Sequence, residues 1–357
     1  MILKLRMMEK NILLLIAIMS ILATQLFAQT EKGGFNFEEN PSGKGTSAAA
    51  FLEIGIGARA ESMGGAYSAQ KAGTEMMYWN PSGIAWSTKI SASFMHSPWL
   101  AETSLNHVGL IVPVVNMNSV IGFSFTALGY PEQLVRTVDQ PQGTGEMYDA
   151  LDYSAGISIA TRLLPTFAVG GSVKYVNQRI WSETAHAIAF DVGVRYETPL
   201  EGLAIGSSIS NFGADMKMSG RNLRTIVDPD PLNGGNFDRV PVDYRTKPYP
   251  LPQLFRFGLS YDRELLKNNK ISLAVDLLHP STADESINLG AEYAFFDVFF
   301  LRGGYQNLFE QDAVNGLTLG AGIKYILPNR TGVTLDYGWS DWGILTSSHK
   351  ISFKIDF

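Results

Sequence analysis

The stretch "GARAESMGGAYSAQKAGTEMMYWNPSGIA", residues 57–85, and the glycine just ahead of it place Gly55, Gly57, Gly64 and Gly65 in a loose spacing that suggests a phosphate-cradling loop. Such a loop presents backbone N–H groups to the anion between a strand and a helix of a parallel βαβ unit. Here the residues that follow read as antiparallel strands, and the Gly-Lys-Ser/Thr of a Walker loop is absent. The glycines therefore read as sites of tight turning and close packing. Five histidines, His96, His107, His186, His279 and His349, fall on separate strands or strand ends without metal-ligand spacing, and read as structural or surface residues. No Gly-x-Ser-x-Gly elbow occurs. The chain has no cysteine, which excludes disulfides, thiolate metal sites, a cysteine nucleophile and a lipidated cysteine. No catalytic residue, metal site or cofactor is expected, and the chain reads as a non-enzyme.

The composition agrees. Charged residues make up 17% of the chain, glycines number 35 and aromatics reach 11%, an unusual mix for a soluble enzyme. A net charge of −6 advertises no nucleic-acid partner. At the N-terminus Lys4, Arg6 and Lys10 precede the apolar run from Ile12 to Ala23, and a small residue, Ala28, follows. This is the pattern of a cleaved secretory signal over residues 1–28. After it no apolar run reaches the roughly 18 residues that a spanning helix needs. A membrane, if met, is met by strands.

From residue 90 the chain alternates with period two. In "AIAFDVGVRYE", Ile188, Phe190, Val192, Val194 and Tyr196 oppose Ala189, Asp191, Gly193, Arg195 and Glu197. The segments "NGLTLGAGIKYIL" and "GVTLDYGWS" alternate likewise. Tyr and Trp residues near segment ends, among them Trp181, Tyr196, Tyr325 and Trp339, suit interfacial girdles. The opposite faces carry glycine, serine and single charges, which suits a lumen. The terminal "ISFKIDF" resembles the closing strand of a bacterial outer-membrane barrel. Together these predict an all-β fold: a transmembrane antiparallel β-barrel of about 14 strands over residues 90–357, preceded by a periplasmic or plug segment over 29–89. The even-numbered connections are short, and the two long ones, about 130–149 and 214–252, are the third and seventh. Both long connections thus fall on one side, as extracellular loops do. Inward charges such as Lys174, Asp191, Arg302 and Lys350 are expected to pair across the lumen. The long seventh connection is proline-rich and reads as structureless, with Phe237, Tyr244 and Tyr249 as a possible extracellular partner-binding set.

Residues 51–85 then become specific. "FLEIGIGARAESMGGAYSA" followed by "YWNPSGIA" resembles the N-terminal signature of the PorV/PorQ family of outer-membrane proteins, related in fold to the FadL/TodX long-chain fatty-acid transporters. Arg59, Met63, Gly64, Gly65, Trp79, Asn80 and Pro81 stand at matching positions and are the expected plug or hatch motif. Ser82 and Ile84 depart from the usual Ala and Leu. The resemblance implies a FadL-like barrel in the outer-membrane lipid with an N-terminal hatch. It also implies a role in type IX secretion, with cargo C-terminal domains and translocon or attachment-complex proteins as partners. The alternative is a FadL-like transporter of hydrophobic small molecules. If the plug assignment holds, Pro81→Leu or Gly64→Val impairs barrel assembly or gating. Wild-type heat-modifiable mobility in both variants, with wild-type activity, would contradict it.

Overall fold

A computed structural model describes residue 43 and residues 45–357, apart from 230, 231, 233–238, 267, 311 and 312. The expected signal, residues 1–28, and Phe237 lie outside the described residues. Fourteen strands close into one antiparallel barrel. They are β1 (Ser91–Pro98), β2 (Ser104–Val114), β3 (Ser119–Gly129), β4 (Ala150–Leu164), β5 (Phe167–Ile180), β6 (Glu183–Glu197) and β7 (Leu203–Gly213). The second half comprises β8 (Leu254–Leu266), β9 (Asn269–Pro280), β10 (Ser286–Phe295), β11 (Phe299–Leu308), β12 (Leu317–Ile326), β13 (Gly332–Asp341) and β14 (Ser347–Asp356). Each strand pairs with its sequence neighbours, and β14 returns to β1 with Ser91 opposite Asp356 and His96 opposite Ile351. Closure leaves no free edge in the barrel sheet.

The period-two pattern dictates which way the wall faces. Along β6 buried and exposed residues alternate without a break, with Asp191 and Arg195 inside and Ile188, Phe190 and Val192 outside. Outward apolar side chains recur around the barrel, for example Ile157, Ile159, Leu301 and Leu319. An apolar outside with a polar inside is the arrangement a lipid environment requires. One end of the barrel carries short turns, and the other carries both long connections. Both connections contain short paired strands, so the seventh is not structureless as its composition predicts. The first contains a small hairpin pairing Gln133–Leu134 with Met147–Tyr148, and the second pairs Arg224–Val227 with Val240–Asp243. Pro241 is compatible because a two-stranded sheet leaves one edge of each strand unpaired.

The described part of the segment before β1 lies inside the barrel, since it bonds inward side chains on opposite walls. Gly64 N–H donates to Thr318 on β12, Ala58 N–H to Ser352 on β14, and Ser208 on β7 donates to the Trp79 carbonyl. The wall makes room for it with glycines. A Cβ on Gly170 (β5), Gly206 (β7), Gly290 (β10), Gly304 (β11) or Gly338 (β13) would press into the backbone of Pro81–Ser82, Ser68–Ala69, Met63, Met63–Gly64 or Ala58 respectively. Inward Gly193 on β6, Gly258 on β8 and Gly320 on β12 meet the side chains of Asn80, Ser68 and Ser62 in the same way. With Gly109 on β2 and Gly122 on β3, which meet Thr74 and Met77, ten strands omit a side chain where the segment passes. Adding bulk to a filled site costs about 1–3 kcal/mol or more. Gly290→Val is therefore predicted to lower the unfolding midpoint in denaturant, read by tryptophan fluorescence. An exposed control, Thr137→Val, leaves it unchanged.

Candidate functional site

The luminal segment is built from short pieces joined by glycines. A 3-10 turn at Ala50–Glu53 leads to helix α1 (Ala58–Ser62), and helix α2 (Met76–Trp79) leads to a second 3-10 turn, Pro81–Trp86. After α1 the chain must reverse against the wall. Gly64 and Gly65 supply φ values of +65° and +67°, and a side chain on Gly64 would also meet the backbone of Leu289 and Tyr305. Immediately beyond, the Asp276 carboxylate accepts the N–H groups of Tyr67 and Ser68, both at 2.9 Å.

Asn80 explains the Asn-Pro step. Its amide donates to the carbonyls of Ser68 (2.7 Å) and Val194 (3.0 Å), while its oxygen accepts from Ser82 N–H (3.1 Å) and Ser82 Oγ (2.6 Å). It therefore caps the following turn and fastens the segment to β6. Pro81 takes the first turn position, where its missing N–H goes unneeded. The Trp79 indole donates to the Ile56 carbonyl at 2.8 Å and joins Met63 in one buried cluster with Tyr67, Met76 and Ile84.

Charge is placed where it is matched. Arg59 forms a two-pronged bond to Glu292, 2.8 Å on each prong, and donates to Tyr67 Oη at 3.0 Å. Burial pushes the Tyr67 phenol well above its ordinary value, so it stays protonated and donates to Glu75 at 2.9 Å. Arg302 pairs with both Glu292 and Asp336, Lys174 with Asp191 at 2.8 Å, and Lys350 with Glu61 at 2.9 Å. Lys174, Asp191, Arg302 and Lys350 are thus paired, but with nearby strands or with the segment and not across an open lumen. Arg256 instead stacks on Tyr78 and Trp79, 5.2 Å from each ring centre, a contact the sequence reading missed.

Structure thus brings Arg59, Met63, Gly64, Gly65, Trp79, Asn80 and Pro81 together in the lumen. Tyr244 and Tyr249 lie apart, on the long connection at the loop end, 66% and 48% exposed. That connection nonetheless touches the segment: Ala48 N–H donates to the Pro250 carbonyl at 2.8 Å, and Met216 and Leu251 pack with Phe51, Leu52 and Ile56. Two cavities of about 400 and 440 Å³ lie at the turn end, sharing Arg59, Lys270 and Glu292. A third, of about 30 Å³, lies toward the loop end between Phe51, Leu52 and Ile54 on the segment and Ser124, Thr126 and Ser154 on the wall.

The fold, a closed barrel of 14 antiparallel strands, matches that of FadL/TodX outer-membrane barrels. Over 85% of the chain it is similar to the toluene transporter TodX of Pseudomonas putida (TM-score 0.55, 11% identity, 99% of that chain). It is similar over the same share to a Pseudomonas aeruginosa FadL homologue (TM-score 0.51, 10% identity, 98% of that chain) and to the CymD monoaromatic hydrocarbon channel (TM-score 0.51, 13% identity, 97% of that chain). No protein-family model and no curated protein matches the chain, so the PorV/PorQ resemblance rests on residues 51–85 alone.

Glu292 is the acid shared by two guanidinium groups, and breaking a buried pair on one side costs about 3–5 kcal/mol. Glu292→Gln is predicted to destabilise the folded barrel by that order in guanidinium unfolding. The double variant Glu292→Gln with Arg59→Met recovers part of the loss, since the ion pair of Arg59 is with Glu292.

Proposed function

We propose that the protein is a gated outer-membrane channel for small, predominantly apolar molecules. Residues 1–28 act as the export signal, 29–89 as the plug and 90–357 as the barrel. The long connections face the outside and the short turns the periplasm. Neither a cofactor nor a catalytic group takes part. The observation that carries this reading is the graded lumen. Toward the loop end the segment presents Phe51, Leu52 and Ile56 among buried Met95, Leu105 and Leu128, whereas the turn end opens into charged cavities around Arg59, Lys270 and Glu292. An apolar entry above a wet exit suits a molecule that leaves lipid or lipopolysaccharide and is released to water. Solved structures similar in fold include the CymD monoaromatic hydrocarbon channel and the toluene transporter TodX, which supports the same reading.

A second reading is a non-catalytic component of type IX secretion that holds cargo or partner proteins at the cell surface. It is favoured by the 51–85 signature and by exposed Tyr244 and Tyr249 on the largest loop. The two readings separate cleanly in cells. Under the channel reading, expression in an outer-membrane-intact host raises the initial rate of labelled toluene uptake several-fold, and deletion of the native gene leaves surface attachment of secreted proteins unchanged. Unchanged uptake together with lost surface attachment would overturn the channel in favour of the secretion role.

A further inference from the structure

Resting on the channel reading, we infer that the route runs along the inner face of β1–β3, past a constriction formed by Ile56 and His107, and that it selects small neutral molecules carrying one hydrogen-bonding group. Three observations converge on this sector.

The first is where the segment is immovable. On β5, β7, β10, β11 and β13 the wall glycines abut backbone of residues 58–82, and no side-chain rotation relieves that contact. At Gly122 on β3 the nearest atoms of the segment belong to the Met77 side chain, whose methyl end also lies against Gly109 on β2. Met77 is an unbranched thioether that changes rotamer readily, whereas the short polar side chains facing Gly193, Gly258 and Gly320 have no such reach. The filling can therefore yield beside β2 and β3 by movement of Met77.

The second is the position of the cavities. The small cavity toward the loop end and the 400 Å³ cavity at the turn end are both walled by Ile56 and His107. These two side chains are what the cavities share, so their displacement joins the two into one passage.

The third is chemical. His107 is buried, its Nδ1 lies 2.8 Å from Thr126 Oγ1, and its Nε2 has no hydrogen-bond partner. A buried polar atom left unpaired costs about 1–3 kcal/mol, which a ligand hydroxyl would recover. The small cavity has matching walls: Phe51, Leu52 and Ile54 on one side, and the hydroxyls of Ser124, Thr126 and Ser154 on the other. The cation at its edge, Lys174, is already held by Asp191 at 2.8 Å, so an ionised head group finds no free counter-charge there. A methyl-substituted phenol or a short alcohol matches the chemistry of these walls, and is admitted when Ile56 and His107 move apart and join the cavity of about 30 Å³ to the one of about 400 Å³. A pure hydrocarbon leaves Nε2 unsatisfied.

The test uses the full mature chain in nanodiscs with 15N-labelled histidine, the probes being 4-methylphenol and toluene. His107→Phe identifies the His107 signal among the five histidines. Saturable movement of the His107 Nε2 resonance with 4-methylphenol, and not with toluene, is expected. In cells, His107→Phe is expected to lower the ratio of 4-methylphenol uptake to toluene uptake several-fold, with heat-modifiable mobility at wild-type level. Identical responses to the two probes, or an uptake ratio unaffected by His107→Phe, would overturn the site. If wild-type protein raises uptake of neither molecule, the channel reading itself fails, and the resonance still decides whether the site binds.

Discussion

The structure depends on a backbone-to-wall fit. Residues 58–82 run so close to the inner face of the barrel that ten strands carry glycine at the point of contact. A side chain at any of these positions would displace either the segment or the strand. The polar bonds then act on a path already set by shape. Asp276 gathers two N–H groups, Asn80 spans from Ser68 to β6, and Glu292 holds Arg59 between β10 and the segment. Because buried polar groups far from bulk water are costly unless matched, this set of partners fixes register as well as position.

That constraint shapes function. A filling wedged against most of the circumference cannot leave the lumen without separating many matched groups at once. At Gly122 the contact is with the flexible end of Met77, and Met77 walls the small cavity together with His107. The loop-end connection adds a cover, since Met216 and Leu251 pack on the same residues, Phe51 and Leu52, that wall the small cavity.

Much of the barrel was legible in the sequence because lipid on one face and a polar lumen on the other impose strict alternation. The alternating segments "AIAFDVGVRYE", "NGLTLGAGIKYIL" and "GVTLDYGWS" lie on β6, β12 and β13, and the barrel closes with the fourteen strands expected. The parity of connection lengths exposed the two ends for the same reason. The hairpins within the long connections were hidden, as pairs such as Arg224 with Asp243 carry no apolar stripe. Gly64, Gly65, Asn80 and Pro81 announced turns, yet their seats on Leu289, Tyr305 and Val194 join residues more than a hundred positions apart, which no local pattern encodes. His107 looked like any of the five histidines. What separates it is an unpartnered nitrogen beside two cavities, visible only once the wall is assembled.

Amide hydrogen exchange of the protein in nanodiscs, read peptide by peptide, reaches the central claim most directly, since exchange reports local opening against global unfolding. The account predicts that residues 58–82 exchange as slowly as the barrel strands, with 4-methylphenol or without it, while residues 49–56 exchange faster when the ligand is present. Loop-like exchange across residues 58–82 would mean that the segment leaves its glycine-lined seat, and would contradict the account.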